Sequence, residues 1–154
     1  MPVCWSTVVV THLFRMAPYA LPHLSRGRAR WILDLTDVIS ARTGVAPSHI
    51  VWGNGSEEMI QGCLALAVSP GDRVVLPVPT FWGYRAIIRA SGAVLVEVPN
   101  REDGMPDADG IIARSREGAR IAFCVTPNNP SGAMLSGTDL ENLVSAVPED
   151  CILF

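Results

Sequence analysis

Four short runs, at residues 73–76, 94–98, 121–125 and 151–154, consist almost wholly of apolar residues, and between them apolar residues recur every three or four positions. A strand with one wet face alternates apolar and polar, so runs this uniform belong to strands covered on both faces. A fifth, shorter run, Ile50-Val51-Trp52, stands before a glycine-rich turn and reads the same way. Strands alternating with helices in this manner predict an α/β fold: a three-layer, mostly parallel sheet with helices on either side.

The helical stripes are distinct. Trp31, Ile32, Leu35, Val38 and Ile39 form one, ended by Thr43-Gly44. Met59, Ile60, Cys63, Leu64, Ala67 and Val68 form another, beginning at Ser56 or Glu57. Residues 81–90 and 112–116 predict two more, with a loop over 100–109 that holds Gly104 and Pro106. Leu140, Leu143, Val144 and Val147 mark the last, for which Ser136-x-x-Asp139 and Thr138-x-x-Glu141 offer overlapping box-like starts. The first 30 residues lack a period and contain Pro18 and Pro22, so irregular structure is expected there.

With 154 residues, 49% of them hydrophobic, the chain can bury the core of one ordinary domain. Every one of its 12 basic side chains is an arginine. Without lysine, no side chain of this polypeptide can form a Schiff base. The net charge of −3 and the scatter of the arginines give no extended positive field, which argues against nucleic-acid binding. Arg26, Arg28 and Arg30 form the only basic cluster and read as a solvated segment. Cys4, Cys63, Cys124 and Cys151 are far apart, as expected of a cytoplasmic protein. His12, His23 and His49 have no metal-ligand spacing, and the opening residues read as neither a signal peptide nor a membrane span.

Three turns could carry chemistry. Gly53-Asn54-Gly55-Ser56 leads from an apolar run into a helix whose free N–H groups could hold an anion, with Gly55 permitting close approach. Glu57 and Glu58 in the first turn would also satisfy the helix dipole with no ligand, so both readings stand. The turn matches neither a P-loop, which needs a lysine, nor a G-x-G-x-x-G fingerprint, whose third glycine is replaced by Glu58. Thr126-Pro127-Asn128-Asn129-Pro130-Ser131-Gly132 is either a rigid Asx-capped turn or a place where an amide meets a planar ligand. In Pro79-Thr80-Phe81-Trp82-Gly83-Tyr84 an aromatic could stack on a flat ring or plug the core.

Taken together, Val51-Trp52-Gly53-Asn54-Gly55-Ser56-Glu57-Glu58, Ser69-Pro70-Gly71-Asp72, the segment from Pro77 through Tyr84, and the Thr126 to Gly132 turn resemble the fold-type I, class I/II aminotransferases. The order and spacing fit best the histidinol-phosphate aminotransferase branch and its threonine-phosphate decarboxylase relatives. The resemblance implies a pyridoxal 5'-phosphate cofactor. It implies that the backbone N–H groups of Ser56 and Glu57, with Gly55, hold its phosphate, that Phe81 stacks on its ring and that Asn129 hydrogen-bonds its phenolic oxygen. It implies amino-group transfer between an amino acid or amino-alcohol phosphate, a small-molecule substrate, and a 2-oxo acid, in an enzyme that is a homodimer when complete.

By the same resemblance, residues 43–154 form part of the cofactor-binding large domain, and residues 1–42 form a poorly matched segment with one helix. Tyr19 stands too far ahead of Gly53 to match the family's phosphate-binding tyrosine. The family's ring-pairing aspartate, its lysine and its carboxylate-binding arginine follow the strand at which these residues end, so this chain alone is expected to be inactive. The alternative is a non-catalytic α/β module that binds a phosphate ligand or another protein.

Overall fold

The computed structural model describes residues 35–53 and 55–154. The expectations for the first 30 residues, the Arg26 cluster, His12, His23 and the start of the first helix at Trp31 lie outside them. The described chain falls into two compact units divided between Met59 and Ile60.

In the first unit, residues 35–43 form helix α1, closed by a bond from the Gly44 N–H to the Ser40 carbonyl (2.9 Å). Ile50, Val51 and Trp52 do not form the predicted strand. Pro47–His49 is a 3-10 turn whose carbonyl at Pro47 takes the Ile50 N–H, and the Trp52 indole N–H donates to Thr36 Oγ1 at 2.9 Å. Three residues between a proline turn and a glycine offer too little ladder to outweigh these local bonds. Helix α2, Ser56–Ala67, then begins after Gly55, whose φ of +86° only glycine adopts without strain.

The second unit holds a four-stranded, all-parallel sheet. In chain order it runs β1 (Arg73–Val78), α3 (Gly83–Ala90), β2 (Val94–Pro99), α4 (Ala108–Ser115), β3 (Ala119–Ala122), α5 (Gly137–Ala146) and β4 (Ile152–Leu153), with spatial order β2-β1-β3-β4. Adjacent residues of one strand serve opposite faces. Val74 and Leu76 pack with Leu64 of α2 and with Ile87 and Ile88 of α3, whereas Val75 packs with Ile111 and Ile112 of α4 and Leu143 of α5. Each fully buried aliphatic side chain contributes about 1.5–3 kcal/mol, and Val74, Val75 and Leu76 are all 0% exposed. Two helical layers thus explain the apolar runs of β1 and β3, whereas β2 and β4 lie at the sheet edges and stay partly exposed, with Val94 at 48% and Ile152 at 40%.

Element ends differ from expectation in instructive ways. β1 continues through Pro77 because it pairs with β3 only as far as Val75, so the N–H that proline lacks is not required there. β3 stops at Ala122 rather than residue 125, although the Phe123 N–H still reaches the Val75 carbonyl (2.9 Å). α4 starts at Ala108, inside the expected loop, because Asp107 accepts the first helical bond from the Ile111 N–H. Of the two box-like starts for α5, Ser136 prevails: its Oγ accepts from the Asp139 N–H (3.1 Å) while the Asp139 carboxylate accepts from the Ser136 N–H (3.3 Å). Arginines close two helices. Arg120 Nε donates to the Ala67 carbonyl ending α2 (2.8 Å), and Arg116 donates to the Ala146 carbonyl ending α5 (3.3 Å).

Cys151 lies in the core below α4 and α5. Burial, and then the charge of Asp150, push its thiol up to about 11, with Arg120 pulling the other way. Because the folded value is raised, the stabilisation is complete below the ordinary thiol value of 9.0 and is lost as pH rises through about 11. The unfolding free energy is therefore expected to fall across pH 9–11, with a shallower fall in Cys151→Ala. Denaturant titrations at several pH values check this; identical slopes for the two proteins would refute it.

Candidate functional site

The order β2-β1-β3-β4 contains one reversal. From β1 the chain passes through α3 to β2 on one side, then returns through α4, on the opposite face, to β3 on the other side of β1. Loops leaving the carboxyl ends of β1 and β3 must diverge there, which opens a crevice in sheets of this kind. Those two loops are residues 79–82 and 123–136, and they contain two of the three turns singled out in the sequence.

One buried side chain ties the two loops. Asn128, 3% exposed, donates Nδ2–H to the Pro79 carbonyl (3.0 Å) and to Ser131 Oγ (3.1 Å). Its backbone is held as well: Asn128 N–H donates to the Ala133 carbonyl (2.8 Å), and its own carbonyl accepts from the Gly132 N–H (2.7 Å). Gly132 makes this tight return possible with a φ of +70°. The next residue, Asn129, is exposed, and its amide makes no hydrogen bond to another described residue.

An aromatic row crosses the same end of the sheet. Phe81 meets Tyr84 edge-on with ring centroids 5.4 Å apart, Tyr84 lies 5.4 Å from Phe123, and Phe123 lies 5.1 Å from Phe154. Each pair falls in the range where aromatic rings attract. Phe81 is half-buried, whereas Phe123, at the end of β3, is 2% exposed. Gly83 leaves room for the Phe81 ring, since a Cβ there would collide with the ring edge and stand 3.0 Å from its Cζ. Burial raises the Tyr84 hydroxyl and the Cys124 thiol above their ordinary values, so both stay protonated at neutral pH.

Two oxygens in these loops, Thr80 Oγ1 and Asn128 Oδ1, are buried and have no partner among the described residues. Buried polar atoms left unpaired are costly, and they gather where a protein receives a ligand. The two loops therefore carry one half-buried aromatic ring, one unengaged amide and two unsatisfied oxygens, groups suited to a flat polar molecule.

Known proteins decide the family. The model of aminotransferase class I and II matches residues 20–154. The chain belongs to that family. It is 38% identical over 119 residues to a histidinol-phosphate aminotransferase of Dinoroseobacter shibae, a match covering 77% of this chain and 33% of that protein. A histidinol-phosphate aminotransferase of Halalkalibacterium halodurans is 35% identical over 134 residues, covering 87% of this chain and 36% of the relative. The solved histidinol-phosphate aminotransferase of Sinorhizobium meliloti, in complex with pyridoxal-5'-phosphate, aligns at a TM-score of 0.70 with 26% identity over 78% of this chain and 33% of that one. This aminotransferase chain thus spans about one third of the length of the curated relatives it matches, and its parallel three-layer fold is theirs.

Of the residues singled out in the sequence, Gly55, Ser56 and Glu57 stand at the opening of α2, where Glu57 and Glu58 supply the acidic first turn. Phe81 and Asn129 stand in the two loops of the crevice. Sequence reasoning named the two adjacent asparagines together without separating Asn128 from Asn129, and gave Thr80 no role. Asn128 and Thr80 sat inside quoted motifs, but no periodicity in a turn tells which of two adjacent asparagines faces inward. No cluster of three His, Cys, Asp or Glu positioned for a metal occurs among the described residues, and no helix of the described residues is long and apolar enough to cross a membrane.

Proposed function

We propose that residues 43–154 are the amino-terminal part of the large domain of a pyridoxal 5'-phosphate-dependent aminotransferase, and that they supply contacts to the cofactor. The N–H groups of Ser56 and Glu57 take the phosphate at the helix start, Gly55 leaves it room, Phe81 stacks on the ring, and Asn129 donates to the phenolic oxygen. The observation that supports this reading is the tie made by Asn128, which joins the loop that carries Phe81 to the loop that carries the unengaged Asn129 amide. The two unpaired oxygens, Thr80 Oγ1 and Asn128 Oδ1, fit a polar ligand or its water better than an apolar plug.

When bound, the cofactor supplies an electron-withdrawing ring for amino-group transfer. The task of this chain is to grip and orient. The substrate class is an amino acid or an amino-alcohol phosphate with a 2-oxo acid as acceptor; the amino-alcohol phosphate is in keeping with the name of the histidinol-phosphate aminotransferases that the chain matches. The whole enzyme acts as a homodimer in the cytoplasm, in keeping with the free thiols of Cys63, Cys124 and Cys151. These 154 residues contain no lysine and do not transaminate on their own.

The test is thermal unfolding of the purified chain with pyridoxal 5'-phosphate, pyridoxal or inorganic phosphate. A ligand at one hundred times its Kd adds about 2.7 kcal/mol of stability. Pyridoxal 5'-phosphate is expected to raise the midpoint clearly and pyridoxal much less, with the gain reduced at least by half in Phe81→Ala and Asn129→Ala. No gain in the wild-type chain, or an equal gain in both variants, would remove the reading. A gain from inorganic phosphate that matches the cofactor's would favour a phosphate-binding module instead.

A further inference from the structure

We propose that Asn100, on the loop after β2, is a positioning residue for Phe81, acting through the carbonyl of Pro79. This rests on the reading of Phe81 as the ring-stacking residue. Asn100 Nδ2 donates to the Pro79 carbonyl at 2.9 Å, and Asn128 Nδ2 donates to the same oxygen at 3.0 Å. A carbonyl has two lone pairs, and here both are used. The two donors belong to the loops that follow β2 and β3, the strands on either side of β1.

Such a clasp fixes direction as well as place. The Pro79 carbonyl lies in the rigid plane of the Pro79–Thr80 peptide, so holding its oxygen with two donors fixes the plane from which the chain departs towards Phe81. Proline brings no N–H of its own, which leaves that carbonyl as the one polar backbone handle on Pro79. Asn100 is a stiff donor because its own N–H continues the ladder to the Val78 carbonyl at 2.7 Å. With Asn128 alone, the peptide could swing about a single bond.

The side chain is poorly explained by stability. Asn100 Oδ1 is buried with no partner among the described residues, a cost that a small apolar side chain would avoid. What the amide provides is its second donor on Pro79.

The experiment uses the whole chain as wild type, Asn100→Ala and the isosteric Asn100→Asp, which loses the donor and keeps the shape. Amide hydrogen exchange without cofactor is expected to quicken about tenfold across residues 80–84 in both variants and to stay unchanged in β1 and β3. Thermal shifts are expected to show the response to pyridoxal 5'-phosphate reduced at least by half while the response to inorganic phosphate is kept. A merely structural asparagine would lower the midpoint and leave the ratio of the two responses unmoved. Wild-type exchange at 80–84 in both variants overturns the proposal, as does an unchanged ratio. If the wild-type chain itself gives no cofactor shift, the cofactor reading fails first and the role of Asn100 fails with it; a wild-type shift retained in full by both variants sinks the inference alone.

Discussion

Phe123→Ala is expected to lower the unfolding free energy by about 3–5 kcal/mol, the range for a large aromatic deleted from a packed core. Phe123 is 2% exposed, and its ring lies between Tyr84 and Phe154, with centroids 5.4 and 5.1 Å away. It stands where β3 ends and where its N–H makes the last bond to β1, so the lining cannot collapse without moving the strand end. Against a total of roughly 5–15 kcal/mol for a natural domain, this removes a large share. For a unit of this size each kcal/mol is worth about 4–8 °C in the midpoint. Phe123→Leu keeps most of the volume and should cost less than half as much. A midpoint for Phe123→Ala within about 3 °C of wild type would show that the aromatic row does not hold this end of the sheet.

The second large effect falls on Asn128. Replacement by Leu removes the donor to Pro79 and to Ser131 at a site 3% exposed, with an expected cost of about 1–3 kcal/mol and the loss of most of the cofactor response. Asn128→Asp is the sharper probe. It sets a carboxylate against the Pro79 carbonyl in a buried place, so the charged form is disfavoured and the group's folded pKa is raised. Stability is then present below the ordinary carboxylate value of about 4 and is lost as pH rises through the raised value. Denaturant unfolding of Asn128→Asp should show a deficit of about 2–4 kcal/mol at pH 7 that shrinks towards pH 4, where the protonated acid can donate to Pro79 again. A deficit independent of pH would mean that the amide is not the tie between the loops.

The two predictions concern different bonds of one structure. Phe123 holds the ends of β1 and β3 by packing, and Asn128 joins the loops that follow them by hydrogen bonding. Because Tyr84 leans on Phe123 and Phe81 on Tyr84, the core reaches the candidate site through contiguous rings. The surface ion pairs contribute little by comparison: Arg73 with Glu117 and Arg85 with Glu97 are more than a third exposed, and such pairs are worth about 0–1 kcal/mol.

What the sequence alone determined was the class of fold and the turns in which a candidate site could lie. Uniform apolar runs required a sheet covered on both faces, the stripes at three and four supplied the covering helices, and Ser136 with Asp139 started α5 where the box predicted. The turns that hold Ser56, Glu57, Phe81 and Asn129 were legible because glycine, proline and asparagine turns announce themselves locally, while the resemblance to the aminotransferases picked out those four residues within them. Only the tertiary structure decided that Ile50 to Trp52 would bond locally instead of joining a sheet, and that Asn128 would be buried while Asn129 stayed free. It alone revealed that Asn100 and Asn128 meet on one carbonyl. The reason is physical: periodicity reports the environment a residue shares with its near neighbours along the chain. Which loops come together depends on the lateral order of strands, and β3 reaches the free side of β1 only because the chain crosses from one face of the sheet to the other.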